Sequence, residues 1–175
     1  MTTEPERPPV SPAAGDSGPD RNIIVAGWLF VGIQGLLLIA LILWPRADHW
    51  PVPGWLNLFG AVLVASGLVL VAVAVIGLGS SATPTPVPTE RGKLVTTGLY
   101  RFSRHPIYSG VLLAVIGIVI RSGNLVTLLI GASTGLFFTI KARWEEDRLE
   151  ERYPDYHDYA AQTGRFLPRF RRRGS

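Results

Sequence analysis

Two long stretches of this chain contain no charged side chain: Asn22 to Trp44 and Gly54 to Thr89. A helix resting on a soluble core keeps a polar face toward water. Runs this long without one are surrounded by lipid. The first apolar segment, about Ile23 to Leu43, is 21 residues, roughly 31 Å as a helix, which matches the hydrocarbon thickness of a bilayer. It is followed by Trp-Pro rather than a small-residue cleavage site, so a retained span is expected and not a removed signal peptide. Trp44, Trp50 and Trp55 bracket a short polar turn, as amphipathic rings do at a membrane surface. A second span, about Leu56 to Leu78, then returns the chain to its starting side.

Charged residues are 17% of the chain, below the usual quarter, and they collect at the ends of apolar segments. The net charge of +4 therefore points to anionic lipid headgroups rather than nucleic acid. Without cysteine there is no disulfide, thiolate metal site or cysteine nucleophile; no metal site is expected. Residues 1–21, rich in Pro, Ser and Gly, read as a disordered tail, and residues 22–175 as one membrane domain.

The third apolar stretch, Ile107 to Ile120, is short for a crossing unless the helix starts at or before His105. Pro106 suits a first helical turn, where a missing N–H is no loss. Arg121 to Asn124 makes a tight turn, and a fourth span runs from Leu125 to about Ala142. Its helix should continue into water through Lys141–Tyr153, until Pro154. The expected fold is all-α: spans at about 23–43, 56–78, 106–120 and 125–142, then a helical extension. Gly77 and Gly79 are expected to serve packing. Of 17 Lys and Arg residues, 15 fall on the side holding both termini and the 90–105 loop; Arg46 and Arg121 fall on the other. Positive residues stay inside, so both termini are expected in the cytoplasm and the chain in the inner (plasma) membrane.

Two polar clusters then meet at one end of the third and fourth spans. One is Leu94 to Tyr108, containing Tyr100, Arg104, His105, Pro106, Ile107 and Tyr108. The other is Lys141 to Glu146. A tight turn makes these spans antiparallel neighbours, so Arg104, His105 and Tyr108 should face Arg143, Glu145 and Glu146. Singly, each residue has an ordinary explanation: interfacial anchors for the arginines and tyrosines, a helix cap for His105, a solvated helix face for the glutamates. These do not explain polar clusters on both arms of one hairpin.

The pattern resembles the isoprenylcysteine carboxyl methyltransferases and their bacterial relatives. It is carried by Leu94-Val95-Thr96-Thr97-Gly98-Leu99-Tyr100, Arg104-His105-Pro106-Ile107-Tyr108, Glu145-Glu146, and Tyr156-x-x-Tyr159 with Arg165-Phe166-Leu167-Pro168, about residues 84 to 168 in all. The resemblance implies an integral membrane methyltransferase using S-adenosylmethionine on a lipophilic acceptor, such as an isoprenylcysteine-type carboxylate. It implies a cofactor region over 84–108 and 141–170, with Leu94, Val95, Tyr100, His105, Pro106, Ile107 and Tyr108 as contacts. A gapless count gives Glu146 as the cofactor-binding carboxylate, with Glu145 as the near alternative. Arg104 is implied in catalysis, and Glu145 beside it is a second catalytic candidate. The family's substrate-binding arginine falls on Ala142, so its neighbour Arg143 stands in as the substrate-binding candidate. The alternative is an NADPH-dependent membrane reductase, because sterol-reductase relatives share a similar Tyr-x-x-Tyr and Arg-Phe-x-Pro ending.

Overall fold

The computed structural model describes residues 21–44, 50–79 and 94–169. The expected disordered tail lies outside these residues except for Arg21, which opens the first helix. Residues 84–93 and 170 of the expected cofactor region lie outside them too.

Among the described residues five α-helices follow in order: α1 (Arg21–Leu43), α2 (Gly54–Leu78), α3 (Pro106–Ser122), α4 (Leu125–Arg152) and α5 (Tyr156–Gln162). A 3-10 turn, Gly98–Arg101, precedes α3. Among the described residues there is no β-strand, only an isolated parallel bridge between Ser103 and Gly164. Helices α1, α2 and α4 are each long and apolar enough to cross a membrane. At 17 residues, α3 is shorter, about 26 Å. Four crossings, as expected, are compatible with this set. The lipid-facing side chains are large and apolar: Trp28, Leu36, Leu43, Trp55, Leu58 and Ile76 are all exposed.

Local sequence sets the helix boundaries. Pro106 occupies the start of α3, as its fixed φ and absent N–H favour. Gly123 closes α3 at φ +55°, a left-handed conformation natural to glycine, and the Trp50 carbonyl packs where its Cβ would be. Asn124 caps α4, its side chain accepting from the amides of Val126 (2.8 Å) and Thr127 (3.1 Å). These two residues make the reversal that sets α3 and α4 antiparallel. Helix α4 runs 28 residues, about 42 Å, well beyond a bilayer's hydrocarbon. It stops at Arg152, with Tyr153 extended before Pro154.

Helices α2 and α3 pack through a seam of small residues. A Cβ on Gly67 would sit 2.5 Å from the Gly110 carbonyl, and one on Gly117 would sit 2.5 Å from the Gly60 carbonyl. Seven-residue spacing on both helices aligns these glycines, so the backbones meet at two levels, as small residues permit between membrane helices. A Cβ on the expected packing glycine Gly77, or on Gly79, would meet nothing within 4 Å among the described residues, and the φ of +54° at Gly79 instead ends α2. The apolar run hid this: glycines are plentiful along α2, and only the facing residues of α3 decide which ones pack.

Candidate active site

The short segment before α3, the extension of α4 and the strand-like stretch after α5 converge at one end of the bundle. The 103–105 and 164–166 stretches lie side by side. The Arg104 amide donates to the Gly164 carbonyl (2.9 Å) and the His105 amide to the Arg165 carbonyl (3.0 Å). Two serine hydroxyls secure the pairing, Ser103 to the Arg165 carbonyl (2.9 Å) and Ser109 to the Phe166 carbonyl (2.6 Å). The Tyr159 hydroxyl donates to the Tyr100 carbonyl (2.6 Å), tying α5 to the 3-10 turn.

Glu146 lies at the centre, 8% exposed. Its Oε1 accepts from Arg104 Nε (2.9 Å), lies 3.2 Å from His105 Nε2 and takes part of the Arg165 fork (3.1 Å). Its Oε2 accepts from Arg165 Nε (3.0 Å) and from a terminal nitrogen of Arg165 (2.5 Å). Both carboxylate oxygens are thus engaged, one arginine in two-pronged fashion. Glu146 is past the apolar part of α4. Burial pushes its carboxyl upward, but hydrogen bonds from His105 and Arg165 and the nearby charges outweigh that and hold it at about 2, below its ordinary 4.5. The same bonds push the Arg165 guanidinium up. Arg104 reaches further, donating to the carbonyls of Ala160 (2.7 Å) and Thr163 (2.8 Å) at the end of α5.

Glu145 is set differently. It accepts from the Tyr108 hydroxyl (2.8 Å) and lies 3.6 Å from His105 Nδ1. Its side chain is 24% exposed, against 11% for Glu146. The His105 ring stacks on Tyr108, centroids 5.0 Å apart and planes 6° from parallel. Burial first, then the Glu145 and Tyr159 charges, raise the Tyr100 phenol to about 12, so it remains a neutral ring. A cavity of about 550 Å³ is lined by Leu94, Thr96, Arg101, Asp155, Tyr159, Gln162 and Thr163, and Arg104 reaches its edge through the Thr163 carbonyl. Small-molecule pockets fall in the range of about 300–1,000 Å³.

Of the residues expected from sequence, Arg104, His105, Tyr108, Glu145 and Glu146 form one connected cluster. Tyr100 is buried next to it, Leu94 lines the cavity, and Pro106 and Ile107 open α3. Val95 is half-buried beside Leu94. Arg143 is exposed, on the side of α4 it shares with Asp147 and away from buried Lys141, Ala142 and Glu146. Arg165 was legible only as part of a motif; its grip on Glu146 depends on the return of the chain after α5. Lys141 is buried and donates to Gln34 of α1 (2.6 Å). A signal for that pair existed: Gln34 is the one amide or charged side chain between Ile23 and Leu43.

The donor set fits S-adenosylmethionine. The cavity presents a carboxylate, three hydroxyls, a carboxamide and a guanidinium, suited to a nucleoside with an amino-acid tail, and the buried Tyr156 hydroxyl has no hydrogen-bond partner among the described residues. No group of three His, Asp or Glu side chains among the described residues is placed to hold a metal ion.

Comparison with known proteins fits this geometry. The family model described as phospholipid methyltransferase matches residues 55–156. A solved eukaryotic intramembrane Ras methyltransferase, isoprenylcysteine carboxyl methyltransferase, is 27% identical with a TM-score of 0.60, over 84% of this chain and 51% of its own. The cobalt-zinc-cadmium resistance protein CzcN of Cupriavidus metallidurans is 34% identical over 43% of this chain and 36% of its own length. The nickel-cobalt-cadmium resistance protein NccN of Alcaligenes xylosoxydans xylosoxydans is 30% identical over 44% of this chain and 37% of its own. The chain thus spans little more than a third of these curated relatives and about half of the solved methyltransferase.

Proposed function

The chain belongs to the phospholipid methyltransferase family, and from that premise we propose that it is an integral membrane methyltransferase, moving a methyl group from S-adenosylmethionine to a lipophilic acceptor. The observation that carries this reading is a cavity of nucleoside size whose Thr163 is bonded by Arg104, the arginine that also holds Glu146. S-adenosylmethionine supplies an electrophilic methyl group on a cationic sulfur. The chain has to hold that group in line with the acceptor and keep water away.

Each residue takes a part in that work. The Tyr100 and Tyr108 rings offer faces that attract a cation. Leu94 and Val95 give an apolar wall. Glu145, with its one hydrogen-bond donor and its partial exposure, is the carboxylate that binds the cofactor's hydroxyls or ammonium. Glu146, both of whose oxygens are already bonded, is the buckle joining α3, α4 and the segment after α5. Arg104 acts by position, fixing the end of α5 over the cavity. Irradiating the full chain with methyl-labelled S-adenosylmethionine should place label on peptides within residues 94–108 or 141–163. Label confined to α1 or α2 would contradict the site.

The cofactor enters from water and the acceptor from lipid, so the site lies on the cytoplasmic side with both termini, as the basic residues predict. Reporter fusions after Ser175 and within residues 47–51 should report cytoplasm and exterior respectively. An external C-terminus would overturn the orientation.

A further inference from the structure

Two side chains of opposite charge line the cavity without pairing with each other. Arg101 ends the 3-10 turn, and its guanidinium lies over the Phe102 ring, 4.5 Å from the centroid. Asp155 occupies the cap position of α5, yet its side chain makes no capping hydrogen bond, the usual role of an aspartate there. Among the described residues neither takes part in an ion pair. The other lining residues carry no charge: Leu94 is apolar, and Thr96, Tyr159, Gln162 and Thr163 are neutral.

The segments that bear the two charges are tied together by a bond at the cavity itself. Tyr159, a lining residue one turn along α5 from Asp155, donates its hydroxyl to the carbonyl of Tyr100, the neighbour of Arg101 (2.6 Å). The two backbones are therefore held in register by Tyr159 rather than by a salt bridge between Arg101 and Asp155. A ligand that covers two unpaired charges strips water from both, and it restores the loss only by bringing the complementary pair. An α-amino acid brings that pair on one carbon. A guanidinium receives a carboxylate through two parallel bonds, and a carboxylate receives an ammonium through a charge-assisted one.

We propose that Arg101 and Asp155 clamp the methionine end of S-adenosylmethionine, Arg101 receiving the α-carboxylate and Asp155 the α-ammonium, so that this pair selects ligands with a zwitterionic tail. The inference deepens the methyltransferase reading and rests on it. Neither residue belongs to the motifs that carry the family resemblance. With the ammonium assigned to Asp155, the ribose hydroxyls are left to Glu145.

The test measures equilibrium binding to the full chain in detergent with three stable probes. They are S-adenosylhomocysteine, the analogue without its carboxylate (adenosylthiopropylamine) and the analogue without its ammonium (adenosylthiobutyrate). The wild-type chain should bind S-adenosylhomocysteine at least about tenfold more tightly than either analogue, as a hydrogen bond to a charged group implies. R101M should weaken S-adenosylhomocysteine and the butyrate by about tenfold or more, and should not weaken the propylamine. D155N should weaken S-adenosylhomocysteine and the propylamine, and should not weaken the butyrate. Both side chains are exposed, so neither change opens a hole in the fold. A merely structural disturbance would weaken all three probes alike, which the crossed pattern excludes. Equal losses for all three probes in either folded variant, or no loss at all, overturn the clamp. So does a wild-type chain that binds the three probes equally. If one variant fails to fold, the other decides by its own pair of analogues. A wild-type chain that binds neither S-adenosylmethionine nor S-adenosylhomocysteine would instead overturn the methyltransferase reading, which keeps the two failures apart.

Discussion

Glu146→Ala is expected to destabilise the folded chain by about 3–5 kcal/mol, the range for removing one partner of a buried ion pair. It removes the common acceptor of Arg104, His105 and Arg165 and leaves two guanidinium groups facing each other without a counter-ion. The effect should spread beyond the cluster, because Arg104 also holds the end of α5 and Arg165 belongs to the stretch paired with residues 103–105. Thermal unfolding in detergent measures it, and limited proteolysis should cut first after Tyr153. The same pairing has a pH signature. A carboxyl lowered from 4.5 to about 2 on folding contributes about 3 kcal/mol. The sign follows from a folded value below the unfolded one: the contribution is complete above about pH 4.5 and is lost as pH falls toward 2. Acid unfolding of the wild type should therefore begin below pH 4.5, and the variant should lack that loss. A variant as stable as wild type at pH 7 would remove Glu146 from the role of buckle.

Glu145→Gln should do the reverse. Its side chain is more open, its one short hydrogen bond is from Tyr108, and the amide can still accept that bond. Stability should change by less than about 1 kcal/mol. Affinity for S-adenosylmethionine should fall by 1.5–3 kcal/mol, about 10- to 100-fold, the value of a hydrogen bond to a charged group. Equal affinities for the variant and wild type would return the cofactor-binding role to another residue.

These two glutamates show where sequence reasoning reaches its end. Adjacent positions on a helix point about 100° apart, so only the neighbours distinguish them. Those neighbours come from α3 and from a return segment 19 residues further on. Spans, their order and the long α4 extension were readable, because charge-free runs, Pro106, Gly123, Asn124 and Pro154 each impose a local rule. The convergence of residues 100–108 with 141–146 was also readable, from the length of the hairpin turn. The α2–α3 glycine seam was not, because close approach depends on two helices at once. Lys141 was readable as part of the second polar cluster, but its pairing with Gln34 needed the α1–α4 contact. Arg143, the substrate-binding candidate, is exposed in the fold, whereas Lys141 two residues before it is buried.

The account stands most directly on which cofactor the purified chain takes up. Equilibrium binding of S-adenosylmethionine and of NADPH should be measured side by side on the full chain in one detergent. Saturable S-adenosylmethionine binding is predicted, displaced by S-adenosylhomocysteine, weakened by Glu145→Gln and unaffected by NADPH. Saturable NADPH binding by a folded chain that ignores S-adenosylmethionine would contradict it.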